Sequence, residues 1–220
     1  MNTTFKIIIV ALLIGANLYA KNHGEQTAVI VCFDIAGLNN ANSSNELFQQ
    51  NMQHYNKLIS KQSLRRIEAS SIAYYTVEET VRFIGRVESK KAGRLYRESK
   101  KIMKTVAYEL QQDQSSKGKD IIGLFYFLNQ LIEQEYTGFN QVEVHIYSNL
   151  RDSISSKEAR KNMGTIKVDD KVSLYLYAAS GLNAIDGGIT IQQKMNAEAS
   201  VIKYYKNLLL TPKLIMKTMY

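Results

Sequence analysis

Six consecutive apolar residues, AVIVCF at 28–33, run up to Asp34 and constrain this chain more than any other stretch. Val29, Ile30 and Val31 are β-branched and suit an extended backbone. A strand with one wet face alternates apolar and polar residues, whereas a strand that is apolar at every position must bury both faces. Burial on both faces requires helices above and below a sheet with mostly parallel neighbours. The stretch alone therefore predicts an α/β fold with 28–33 at its centre.

The rest of the chain supplies the layers. Ser43 and Glu46 have capping-box spacing, and Phe48, Met52, Tyr55 and Ile59 recur at helical spacing, predicting the first helix. Segments 66–75 and 81–87 read as strands, the second alternating and so placed at an edge. A long amphipathic helix is expected over 88–114. Leu95, Ile102, Met103, Val106 and Leu110 share one side, and Lys90, Lys91, Arg94, Arg97, Lys100, Lys101 and Lys104 fill the remainder. Segment 120–134 is apolar nearly all round at its start, predicting a helix pressed against the sheet, with Gly123 permitting close approach to a strand. Strands at 142–147 and 172–178 follow, separated by a polar stretch, 153–170, with room for a short helix. A closing helix over 197–210 ends before Pro212. One hairpin inside an otherwise alternating βα order predicts an open, mostly parallel Rossmann-like sheet. It has an antiparallel edge strand, helices on both faces, and strands 28–33 and 142–147 as central neighbours.

The first twenty residues differ in character. Lys6 and the amino terminus make a short positive region, 7–16 is apolar, and Ala20 is a small residue suited to cleavage. The apolar run is short for a membrane span. Segment 1–20 is therefore expected to be a cleaved signal peptide, an uncleaved anchor being the alternative, with 21–220 as one domain. Lys6 leaves with the segment, so 27 Lys and Arg face 20 Asp and Glu, a net charge of +7. The single cysteine, Cys32, cannot form an intrachain disulfide and sits in the apolar run as a core residue. An exported chain of this kind resembles a bacterial periplasmic protein more than a small disulfide-stapled one. The basic balance suits an acidic partner or an anionic surface, and export argues against nucleic acid.

Polar residues gather where apolar strands end. Asp34 closes the first strand, Lys119 and Asp120 precede the buried helix, and Asn149, Arg151 and Asp152 follow strand 142–147 in the stretch IYSNLRDS. In open α/β sheets that end is where ligands bind. The strand ending in Asp34, the KDIIGLFYF helix start and the IYSNLRDS strand end, in that order, resemble a von Willebrand factor A (VWA) domain over about residues 27–210. The resemblance implies a metal-ion-dependent adhesion site built from Asp-x-Ser-x-Ser after the first strand, a Thr before the buried helix and an Asp after the fourth strand. In this chain Asp34 matches, but Ala36 and Leu38 stand at the two serines, Lys119 at the Thr and Asn149 at the closing Asp. A hard cation needs oxygen ligands, and these are mostly gone. The resemblance therefore implies a degenerate site with no bound metal, in which the Lys119 amine can stand in the cation's place beside Asp34. Asp34, Lys119, Asp120, Asn149 and Arg151 would form a polar rim that grips a partner.

Catalytic readings find little support. A phosphatase of the haloacid dehalogenase kind needs a second Asp where Ala36 stands, and no glycine-rich phosphate loop follows the first strand. His23, His54 and His145 are widely separated, with His145 read as a packing residue in mid-strand, and no nucleophile–base constellation is visible. The tyrosines on strands and amphipathic helices, among them Tyr74, Tyr147 and Tyr177, read as packing residues with wet hydroxyls. The expected function is a non-catalytic, exported interaction module with a protein partner in the periplasm or envelope. One alternative is a divalent-metal-dependent binding or hydrolytic domain using Asp34 with magnesium or manganese. Another is a binder of anionic membrane surfaces through the basic helix from Lys90 to Lys104.

Overall fold

The computed structural model describes residues 26–34, 44–78, 80–112, 120–148, 165–179, 191–210 and 213–219. The predicted signal peptide, the capping-box Ser43, and Lys119, Asn149, Arg151 and Asp152 lie outside the described residues.

The central run forms β1 (Thr27–Asp34), buried at every position. β2 (Ala69–Val77) pairs parallel on one side of it and β4 (Gln141–Ser148) parallel on the other. β3 (Val81–Glu88) is antiparallel to β2 at one edge. Beyond β4 come β6 (Val172–Ala179) and β8 (Leu214–Met219), both parallel, giving the order β3-β2-β1-β4-β6-β8. A two-stranded parallel pair, β5 (Ile166–Lys167) with β7 (Leu209–Leu210), stands apart. The helices are α1 (Ser44–Leu58), α2 (Lys61–Arg66), α3 (Ala92–Gln112), α4 (Ile121–Glu135) and α5 (Ile191–Leu208). The protein is thus an open α/β sheet, mostly parallel, with one antiparallel edge strand. Among the described residues no helix is long and apolar enough to cross a membrane.

Strand parity divides the interior into two cores, because successive side chains leave a strand on opposite faces. Ala28, Ile30 and Cys32 of β1 join Ile122, Phe125 and Leu128 of α4 and Tyr205 of α5. Val29, Val31 and Phe33 join Tyr55 of α1, Leu64 of α2, and Leu95, Met103 and Val106 of α3. Cys32 is a free thiol in the first core, and burial pushes its pKa well above the ordinary value, so it packs rather than reacts.

Three segments depart from the sequence-based expectation. The strand predicted from residue 66 begins at Ala69, because 61–66 is a helix. The Ser60 side chain accepts a hydrogen bond from the Ser63 N–H at 3.2 Å, and Glu68 turns the chain at φ 51° into the strand. The last helix starts earlier, at Ile191, and stops at Leu208 rather than Leu210, since Leu209 and Leu210 pair with Ile166 and Lys167. A sixth strand of the main sheet, β8, then follows, where no strand was expected. It is held by its pairing with β6 rather than by any alternation of its own.

Gly123 is the third correction. It is the third residue of α4, and its N–H donates to Asp120 Oδ1 at 2.6 Å. A Cβ there would lie 2.1 Å from Asp120 Oδ2, so glycine makes room for the capping carboxylate. Asp120→Ala should cost about 1 kcal/mol, the usual value of an N-cap. Gly123→Ala should also destabilise the parent by displacing the cap. In the Asp120→Ala background the same change should instead stabilise by about 0.5–1 kcal/mol, because alanine is the better helix former. Chemical denaturation of the four variants checks this. Two simply additive losses would mean that Gly123 serves something other than the cap.

Candidate functional site

Chain direction across the sheet reverses at β1. The crossover to β2 goes one way, whereas β4, β6 and β8 lie on the other side. A crevice at the C-terminal ends of the strands around such a switch is the expected place for a ligand in this architecture. Asp34 and Ser148 are the last residues of β1 and β4, and both are fully buried. The Ser148 hydroxyl donates to Asp34 Oδ2 at 2.5 Å, joining the two strands at the switch point. Parity puts both on the α4 side of the sheet, with Ile30, Cys32 and Ile146. At the entry to α4, Asp120 is partly exposed and its side chain caps the helix, while its N–H donates to the Glu78 carbonyl at 3.1 Å.

Of the five predicted rim residues, Asp34 and Asp120 are described and both side chains accept protein hydrogen bonds. Lys119, Asn149 and Arg151 lie outside the described residues. The donor set fits a hard divalent cation poorly. Of the positions named by the resemblance, Ala36 and Leu38 offer hydrocarbon, Lys119 an ammonium and Asn149 a neutral amide oxygen, and Asp34 already accepts from Ser148. Among the described residues no three His, Cys, Asp or Glu side chains are grouped as for a metal.

A second polar constellation lies on the opposite face, and sequence reasoning missed it. The register sets His145 of β4 opposite Tyr175 of β6, and Tyr147 opposite Tyr177. His145 stacks on Tyr175 with ring centroids 4.5 Å apart and 1° between planes, and Tyr147 stacks on Tyr177 at 4.7 Å. Phe33 extends the stack from β1, 5.1 Å from Tyr147. His145 Nε2 lies 3.2 Å from Glu143 Oε2, and Nδ1 lies 2.9 Å from the Tyr177 hydroxyl. An ionised Glu143 accepts from Nε2–H, which leaves Nδ1 to accept the Tyr177 proton. From α1, His54 packs on Tyr177 at 4.2 Å and pairs through Nδ1 with the Tyr147 hydroxyl at 3.0 Å.

Of the tyrosines expected to have wet hydroxyls, Tyr147 and Tyr177 are instead buried and partnered, as is Tyr74, which pairs with Tyr55 at 2.8 Å, whereas Tyr108 is exposed. His145 does pack in mid-strand as expected, but inside a hydrogen-bonded chain. The sequence held one signal, the equal parity of Glu143, His145 and Tyr147 beside Ser173, Tyr175 and Tyr177. It becomes informative only once the two strands are known to be neighbours.

Carboxylate, imidazole and hydroxyl in line resemble a catalytic relay, but all three are buried. Tyr177 is 1% exposed, His145 2% and Glu143 7%. Desolvation pushes the Tyr177 hydroxyl above its ordinary pKa, which keeps it protonated at neutral pH. The chain ties β4 to β6 and α1.

No protein-family model and no curated protein sequence matches the chain. Among solved structures, the chain is similar to proximal thread matrix protein 1 from the mussel byssus, at 12% sequence identity and a TM-score of 0.44. The match covers 86% of this chain but 44% of that one, so the chain spans less than half that protein's length.

Proposed function

We propose that this protein is an exported, VWA-like interaction module. It is non-catalytic, and a protein partner of the periplasm or envelope docks at the C-terminal edge of its sheet. The observation that carries this reading is the buried Asp34 carboxylate accepting the Ser148 hydroxyl across β1 and β4. A carboxylate engaged in this way closes the switch point as a rigid polar floor. The Asp120 side chain is likewise committed, to capping α4. In the sequence, Lys119 directly precedes Asp120, and Asn149 and Arg151 closely follow Ser148, so the rim proposed to meet the partner adjoins this floor along the chain.

The test is thermal unfolding in the presence of magnesium or manganese. Melting temperature should not change at millimolar concentrations of either ion. A saturable rise, growing with ion concentration as binding to the native state requires, would overturn the metal-free reading in favour of a metal-dependent domain using Asp34.

A further inference from the structure

We propose that the outer face of α3 is a docking surface for an anionic lipid bilayer. Four cations and a tyrosine line up on it. Arg94, Arg97, Lys101, Lys104 and Tyr108 are all exposed, Tyr108 at 63%. At 100° per residue they fall within an arc of about 80°, and from Arg94 to Tyr108 they span about 21 Å of helix. The arc lies opposite Leu95, Met103 and Val106, which bind α3 to the sheet, so it faces outward by construction. α3 holds five basic and two acidic residues; one of the acids, Glu98, pairs with Lys101 at 2.8 Å.

The charge continues onto the neighbouring helix. Lys100 of α3 and Lys61 of α2 both lie over the Tyr96 ring, 4.7 and 5.8 Å from its centroid. Tyr96 thereby holds cations of two helices side by side, and exposed Arg65 of α2 widens the field. Lysine and arginine on a convex helix recognise charge density rather than one partner's shape, which is what a polybasic surface does on anionic lipid. Tyr108 favours a bilayer over an acidic protein. It is a large exposed aromatic aligned with the cations, with an apolar body and polar tip suited to the headgroup zone.

The experiment is co-sedimentation of the full chain with phosphatidylcholine vesicles, with and without phosphatidylglycerol. Neutral vesicles measure any pull of the apolar N-terminal segment, which every variant shares. Binding should rise with phosphatidylglycerol content and fall with added salt. Arg97→Gln, Lys101→Gln and Lys104→Gln together should weaken partitioning about a hundredfold, at roughly fivefold per charge near the surface. Its unfolding curve should match the parent's, since all three side chains are exposed. Equal binding to neutral and anionic vesicles, or full binding by the triple variant, would overturn the proposal. Binding to polyglutamate without binding to anionic vesicles would overturn it in favour of an acidic protein partner.

Discussion

Raising the pH from about 9 to about 11 should unfold this protein cooperatively. Tyr55, Tyr74, Tyr136, Tyr147 and Tyr177 are each at most 1% exposed. Burial raises the pKa of all five, that of Tyr74 to about 12. In the unfolded chain each ionises near its ordinary value of about 10. Below that value neither state loses the proton and stability is unaffected. Above it the unfolded state releases protons that the folded state retains, so stability falls as pH rises, until the folded hydroxyls themselves ionise. Each shielded tyrosine contributes about 0.4 kcal/mol of loss at pH 10 and about 1.4 kcal/mol at pH 11. Five together remove about 2 and then about 7 kcal/mol, against a typical total of about 5–15 kcal/mol. The tyrosinate absorbance contributed by these five and the far-ultraviolet circular dichroism should change together in one transition. Tyrosinate appearing for all of these residues while the circular dichroism stays native would show that the hydroxyls are not shielded.

Replacing His145 should produce the largest loss from a single substitution. His145→Ala removes the Nε2 contact to the Glu143 carboxylate and the Nδ1 contact to the Tyr177 hydroxyl, and leaves a gap beneath Tyr175. Orphaning one member of a buried pair costs about 3–5 kcal/mol, or roughly 10 °C in melting temperature for a domain of this size. Combining it with Glu143→Gln should cost less than the two single changes summed, because the stranded charge is then gone. A loss below about 1 kcal/mol for His145→Ala, or strict additivity in the cycle, would refute the view that this chain ties β4 to β6.

The two constellations differ in how far a reader of the sequence could go. Asp34 was legible because it ends an apolar run, and the end of a central strand is a place where chemistry gathers in this architecture. Its partner Ser148 was not, since a serine closing another strand becomes relevant only when β4 lies beside β1 in a register that brings the two strand ends level. Asp120 was placed at the right helix start, but Gly123 was misread. The need for glycine there comes from the path of the capping carboxylate, which periodicity does not encode. His145 and Tyr177 were read only as packing residues and Glu143 was not singled out, because the hydroxyl that completes the chain, Tyr177, lies 32 positions from His145 on a strand whose register the sequence does not fix.

Layer order, the antiparallel edge strand and the central pairing of β1 with β4 followed from the sequence by itself. Hydrophobic period is a local quantity: six apolar residues in a row can be buried only between two layers, and VRFIGRV can only line an edge. What tertiary structure alone decided is everything that depends on register and neighbours. Leu214–Met219 became a strand because β6 offered an unpaired edge, and residues 61–66 became a helix because Ser60 caps it. The hydroxyls of Tyr147, Tyr177, Tyr55 and Tyr74 became dry because the fold aligned them with His54, with His145 and with one another. A side chain's own chemistry is written in the chain, whereas the partner that satisfies a buried polar atom is chosen by residues dozens of positions away.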